Sequence, residues 1–180
     1  MKRCILIFPK FSNIHIIDRI RERYDPLAQH VRPHITLVFP FCSRVATTEL
    51  ESHLREKLSG VSPFALTLRG ITPAAGNGNY LFLNVEQGME ELVAIHNKLY
   101  TGVLEQYKPK WLEHIVYRPH LTVGRIAEEK DYLAAIDATK SSQDVFSTSV
   151  DKVSVEIISE NEDSTLELDV DLLPRERYVR

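Results

Sequence analysis

"RPHITLVFP" occupies Arg32–Pro40 and "RPHLTVGR" occupies Arg118–Arg125. Both read Arg-Pro-His-apolar-Thr-apolar, with their histidines 86 positions apart. Side chains alternate between the two faces of an extended strand, so residues i and i+2 share a face. His34 and Thr36 therefore project together, as do His120 and Thr122. Ile35, Leu37, Leu121 and Val123 point the other way. A strand with one polar and one apolar face suits the wall of a cleft with a core behind it. Pro33 and Pro119 stand where each strand begins, a position that tolerates the missing N–H.

The surroundings of the two stretches repeat in order as well. Each is followed by a helical pattern, a Phe-led strand (Phe64, Phe146), a polar turn and an alternating strand (Leu81–Val85, Leu166–Val170). Upstream, "RCILIFP" predicts a buried first strand. Ser12 is placed to cap a helix carrying Ile14, Ile17 and Ile20. Thr48 and Glu51 have capping-box spacing ahead of Leu50, Leu54 and Leu58, with Gly60 as the stop. The apolar stripe through Met89, Leu92, Val93, His96, Leu99, Val103 and Tyr107 predicts one helix over roughly 88–107. "TPAAGNGN" (72–79) reads as a hairpin loop and "EEKDYLAAIDATK" as a short helix. "VFSTSVDKVSVEII" and "TLELDVDLL" read as strands, and "PRERYVR" as a charged tail.

A period of about 85 residues is too long for a solenoid and fits a duplication. The expected fold is α+β and bilobal, with two pseudo-symmetric lobes about a central cleft. Each lobe would carry an antiparallel sheet and flanking helices. Lobe one would cover about 1–87 and lobe two about 88–180, with the first strand and the long helix placed to pack across lobes. No Pro-, Gly- or Ser-rich linker divides them, so residues 1–180 are expected to form a single bilobal domain.

Composition narrows the function. The chain has 180 residues, 43 % hydrophobic and 26 % charged, as ordinary globular proteins do. Lys and Arg number 22 against 25 Asp and Glu, a formal charge of −3. That argues against holding long nucleic acid by many phosphates. Cys4 and Cys42 are too few for a disulfide scaffold or a four-cysteine zinc site, so a cytoplasmic setting is expected. The apolar run after Met1 stops at Pro9, too early for a signal-peptide core. No stretch approaches the ~18 apolar residues of a membrane span.

Two imidazoles and two hydroxyls facing one cleft suit phosphoester chemistry. In-line displacement at phosphorus needs a base on the attacking oxygen and an acid on the leaving oxygen. Imidazole titrates near neutrality, so one ring can be neutral while the other is protonated. Threonine hydroxyls can donate to the non-bridging oxygens. The chain lacks the clustered Asp/Glu/His spacing of a two-metal site, so no metal and no cofactor are expected. One His-x-Thr is a weak motif; the matched pair carries the reading, because packing alone does not ask for both residues twice.

In "PHITLVF" and "PHLTVGR" the chain resembles the two-histidine (2H) phosphoesterases, which include the bacterial 2′-5′ RNA ligase and cyclic nucleotide phosphodiesterase groups. The family pattern is a pair of apolar-His-x-Ser/Thr-apolar motifs, and the resemblance runs from "CILIFP" to the last strand. Pro33 and Pro119 depart from the apolar residue many members carry before His. The resemblance implies that His34 and His120 form a catalytic acid/base pair. It implies that Thr36 and Thr122 bind phosphate and that Arg125 sits at the cleft rim. For hydrolysis of a 2′,3′-cyclic phosphate it implies that His120 activates water and His34 protonates the departing 3′ oxygen.

The expected function is a metal-independent phosphoesterase for 2′,3′-cyclic phosphate or 2′-5′ phosphodiester bonds, with reversible RNA 2′-5′ ligation as a related activity. The alternative is a nucleotide- or RNA-binding protein that uses the same cleft without turnover. The expected partner is a small nucleotide or an RNA end. No membrane and no obligate protein partner are expected, and the chain is expected to act as a monomer.

Other residues are weaker candidates. Arg32 and Arg118 add local positive potential. Phe8, Phe39, Phe41, Tyr80 and Trp111 suit core packing better than base stacking. His96 reads as a core residue, and His15, His30, His53 and His114 as surface or structural ones. Cys42 has no paired base, and "GNGNY" (76–80) reads as a turn rather than a phosphate loop.

Overall fold

Eight runs rich in β-branched and aromatic residues pair into one antiparallel sheet in the computed structural model, which describes residues 1–75 and 78–174. In chain order the elements are β1 (Lys2–Ile7), α1 (Ile14–Tyr24), β2 (Ile35–Cys42), α2 (Thr47–Leu58), β3 (Phe64–Ala75) and β4 (Asn79–Gln87). Then come α3 (Met89–Leu99), β5 (His120–Ile126), α4 (Glu129–Thr139), β6 (Val145–Val150), β7 (Lys152–Ile158) and β8 (Ser164–Asp171). The strand order is β6-β3-β4-β5-β2-β1-β7-β8. The α+β class is as expected.

The motif strands β2 and β5 are neighbours at the centre, with three strands outside each. The two half-sheets do not follow the expected division at residue 87. β3 and β4 sit with β5, while β7 and β8 join β1 and β2. The described strands form one sheet rather than one sheet per lobe. The reason is local: β3 and β4 are hairpin partners, paired as far as Ala75 and Asn79, and hairpin partners stay adjacent. The repeat therefore starts one strand before each motif, with β1-α1-β2-α2 matching β4-α3-β5-α4.

"VFSTSVDKVSVEII" is not one strand. It divides at Asp151 into β6, on one sheet edge, and β7, next to the other. A flat sheet would hold these strands six spacings apart, roughly 29 Å. One residue cannot span that, so the sheet curls until its ends nearly meet.

The apolar sides of the motif strands, Ile35, Leu37, Leu121 and Val123, are fully buried. Helices cover them crosswise: α1 packs on β5 and α3 on β2. Each of these helices thus braces the strand of the other repeat. That helix is shorter than its stripe suggests. It ends at Leu99, and Gly102, with φ +56°, starts a 3-10 turn over Gly102–Tyr107. Between them Thr101 is extended, with φ −126° and ψ 168°, so the helical hydrogen bonds stop even where the apolar period continues. A second 3-10 turn spans Lys110–Glu113.

Two expected caps do not form. Neither α1 nor α2 has a side-chain cap. The expected cap Thr48 falls inside α2, whose N-cap is Ala46. Its neighbour Thr47 gives its hydroxyl to Glu167 on β8, whose carboxylate takes a bidentate pair of hydrogen bonds from Arg3 at 2.6 and 2.7 Å. Arg3 is buried in β1 and also reaches the Val45 carbonyl at 2.7 Å. A buried charge needs such partners. Thr72–Ala75 extend β3 rather than forming a loop. The rest of that turn, Gly76 and Asn77, and the tail 175–180 lie outside the described residues. Cys4 is buried and Cys42 exposed, both free. Among the described residues no helix is long and apolar enough to cross a membrane.

β2 and β5 meet through a single residue pair, Ile35 with Leu121, and then diverge. The diverging edge of β2 leaves backbone groups that need other partners. The Thr36 carbonyl accepts from the Tyr117 hydroxyl at 2.6 Å, and the Leu37 carbonyl accepts from His96 Nδ1 at 2.7 Å. The Phe39 N–H donates to the Tyr100 hydroxyl at 2.9 Å. His96 lies flat on Tyr117, centroids 3.6 Å apart and planes 4° apart. It is a core residue, as expected, with a specific task at this edge.

Burial pushes the His96 pKa below its ordinary 6.5. The unfolded chain therefore takes up a proton first as pH falls, and stability is lost progressively below pH 6.5. Thermal unfolding followed from about pH 8 to about pH 5 should show Tm falling on the acid side. In His96→Asn, which keeps a donor but cannot titrate, that acid limb should flatten. An unchanged limb would assign the loss to other groups.

Candidate active site

The Ile35–Leu121 pair sets the geometry of both motifs. Because these two side chains point into the core, their neighbours project from the opposite face. Continuing the antiparallel register places His34 opposite Thr122 and Thr36 opposite His120. The histidines hold one diagonal of a four-residue patch and the threonines hold the other. Diagonal neighbours across an antiparallel pair lie about 7–8 Å apart at Cα.

The rings are oriented by the same contact in both copies. His34 Nδ1 lies 2.7 Å from the Arg32 carbonyl, and His120 Nδ1 lies 2.8 Å from the Arg118 carbonyl. A carbonyl only accepts, so Nδ1 carries the proton and each neutral ring keeps a free lone pair on Nε2. The intervening proline explains why the contact recurs. It fixes its own φ and holds the preceding Arg extended, which sets the carbonyl within reach of the ring. Burial pushes both imidazoles below the ordinary 6.5, and the carbonyl contact opposes this in part. For His34 the nearby Arg21 adds to the lowering, while Asp25 and Glu156 oppose it.

The two histidines have different aromatic neighbours. His120 stacks on Phe82 at 3.6 Å, and Tyr80 stacks on Phe82 at 5.7 Å. His34 meets the edge of Phe8 at 6.1 Å. Phe8 and Tyr80 therefore belong to the site wall rather than the deep core, unlike the expectation for them. Phe41 is buried, as expected. Phe82 escaped the sequence reading, although the alternation of "YLFLNVE" puts Tyr80, Phe82 and Asn84 on one face. Tyr117, which the sequence reading also missed, stands immediately before the second motif and bonds the backbone of the first.

Arg125 reaches the same face through an irregularity. It lies three residues after Thr122, so a regular strand would aim it away. β5 carries one extra residue between the pairs Phe82–Thr122 and Leu81–Gly124, and beyond it Arg125 is opposite Tyr80. Gly124 is what lets the bulge pack. A Cβ there would lie 3.1 Å from Tyr24 Cβ and 3.2 Å from Leu81 Cδ1. β2 bulges at the matching place, between the pairs Leu6–Thr36 and Ile5–Val38. Arg125 is exposed and has no ion pair with any described residue.

His15 and His114 are exposed. His30 pairs with Asp163 at 2.8 Å, and His53 is buried against the Leu99 carbonyl. None of these joins the motif histidines. Among the described residues no group of three or more His, Cys, Asp or Glu is arranged to hold a metal ion.

Comparison with known proteins gives a family and a fold. Residues 8–162 match the model of the 2′-5′ RNA ligase superfamily. A Bacillus licheniformis protein named "Putative phosphoesterase" is 32 % identical over 143 residues, 78 % of this chain and 80 % of its own length. A Geobacillus kaustophilus protein of the same name is 27 % identical over 153 residues, 84 % of this chain and 85 % of its own. In fold, the chain is similar to the crystal structure of TT0787 from Thermus thermophilus, with TM-score 0.60 and 16 % identity. That match covers 97 % of this chain and all of the other. It is also similar to E. coli LigT complexed with ATP, with TM-score 0.53 and 17 % identity, over 96 % and 98 % of the two chains.

Tyr117→Phe should keep the ring stack on His96 but leave the Thr36 carbonyl without its donor. A loss of about 1–3 kcal/mol is expected in urea unfolding with an unchanged m-value. A neutral result would mean that water replaces the hydroxyl at no cost.

Proposed function

The chain belongs to the 2′-5′ RNA ligase superfamily, and we propose that it is a metal-independent phosphoesterase for 2′,3′-cyclic phosphate or 2′-5′ phosphodiester bonds of nucleotides or RNA ends. The matched pair of imidazoles carries this reading. Each has its Nδ1–H tied to a backbone carbonyl and its Nε2 free, on one face of one sheet. An acid and a base are thereby held on opposite sides of a space for one phosphate.

In the proposed hydrolysis, His120 Nε2 takes a proton from water as the water oxygen bonds to phosphorus. The bond from phosphorus to the 3′ oxygen breaks, and protonated His34 gives its Nε2 proton to that oxygen. The product is a 2′-phosphate. Thr36 and Thr122 donate from the other diagonal to the non-bridging oxygens, where charge accumulates. Arg125 adds a cation on the same face. With a 5′ hydroxyl in place of water the same steps form a 2′-5′ phosphodiester, and their reversal cleaves it. Both motifs lie in a single sheet, which supports one chain as the working unit. The −3 formal charge supports short substrates over long duplexes.

The test offers 2′,3′-cyclic AMP, a 2′-5′-linked dinucleotide and RNA ending in a cyclic phosphate, each with EDTA present. Turnover is expected, with His34→Ala and His120→Ala each slowing it by about 10²–10⁴-fold. No turnover on any of the three, with nucleotide binding intact, would mark a binding protein. Loss of activity in EDTA would sink the metal-free mechanism.

The base must be neutral and the acid protonated in the free enzyme, and burial holds both groups below 6.5. The profile of kcat/KM against pH should therefore be a bell with its maximum on the acid side of 6.5, its two limbs belonging to the coupled pair. A maximum well above neutrality would contradict the assignment.

A further inference from the structure

The face that carries the motif histidines extends well past His34. Strand register carries it outward: Thr36 is opposite Leu6, Leu6 opposite Ser154, and Ser154 opposite Asp169. Over these strands lies a groove of about 620 Å³, within the range of small-molecule sites. Phe8, Arg32 and Pro33 line it. Phe8 also presents its edge to His34, so the groove and the proposed phosphate site share a wall.

Arg32 is held in a particular way. Its guanidinium carbon lies 3.8 Å from the centroid of the Phe8 ring. Its Nη2 is 3.3 Å from Oε1 of Glu156, a side chain only 4 % exposed whose other oxygen takes the Ser164 hydroxyl. Arg32 thus has a ring beneath it and a tether at its tip, yet 62 % of its side chain faces solvent. A guanidinium seated on an aromatic ring is a platform on which a nucleobase can stack. The remaining charges nearly cancel, since Lys152 is paired with Asp169 at 3.1 Å inside the same groove. Near-neutral lining suits a nucleoside better than a run of phosphates. The other repeat lacks this feature: Arg118, the counterpart of Arg32, has neither a ring beneath it nor an ion pair among the described residues.

We propose that this groove holds a second nucleoside of the substrate, on the His34 side of the reacting phosphate, with its base stacked on Arg32. The substrate class is then a dinucleotide or longer RNA end rather than a mononucleotide. The proposal rests on the phosphate site described above.

Binding is measured by calorimetry with two unreactive ligands, 2′-AMP and the dinucleotide ApA carrying a 2′-phosphate, beside turnover of their cyclic counterparts. The wild type should bind the dinucleotide about 5- to 100-fold more tightly, the range of one stacked base. Arg32→Ala should remove that advantage, and so should Arg32→Lys, which keeps the charge but not the plane. Equal affinities in the wild type, no binding of either ligand, or an advantage that survives in Arg32→Lys would overturn the groove. A dinucleotide advantage without turnover would sink the enzymatic reading and leave the groove standing. Turnover with no advantage would do the reverse.

Discussion

One backbone pairing, Ile35 with Leu121, joins the two halves of the sheet, and most of the molecule is arranged around it. On the core side the pair is fully buried. On the other side it puts two histidines and two threonines on crossing diagonals. Had the central strands stayed zipped along their length, no cleft would open between the motifs. Because they separate, β2 gives up strand partners, and Tyr117, His96 and Tyr100 take their place. The opening of the site and the presence of three polar side chains at a strand edge are one fact.

The crosswise packing of α1 on β5 and α3 on β2 has a similar logic. The main helical cover of each motif strand comes from the other repeat, with α4 adding to that of β5. An unfolded first repeat would expose the apolar side of the second, so the two are expected to fold together. The buried Arg3–Glu167 pair ties β1 to β8 within one half in the same spirit, with Thr47 of α2 as a third member. Its energetic value lies less in net attraction than in the cost of leaving either charge alone.

Much of this was legible in the residues. Period-two alternation in "RPHITLVFP" and "RPHLTVGR" sufficed to place His34, Thr36, His120 and Thr122 on one face, and the helical periods located all four helices. What escaped has physical causes. The hairpin between β3 and β4 overrides a division by sequence halves, because adjacency in space follows the turn and not the repeat. The extended backbone at Thr101 ends α3 although the apolar stripe runs on, because a stripe records burial and not hydrogen bonding. The capping box expected at Thr48 fails because α2 begins one residue earlier, at Thr47, whose hydroxyl binds a carboxylate 120 residues away in the chain. Arg125 was named from a family pattern; alternation alone would have aimed it to the wrong side, and only the bulge at Gly124 returns it.

The single residue between β6 and β7 also has a bearing on how the cleft behaves. Asp151 ties strands from the two half-sheets together at the back, as a strap ties the arms of a pair of tongs. In front, among the described residues, β2 and β5 pair as strands only at Ile35 and Leu121. With both ends of the curve held, the aperture between the motifs cannot widen without stripping a strand from β3 or β1. A cleft held in this way is a gauge of set width.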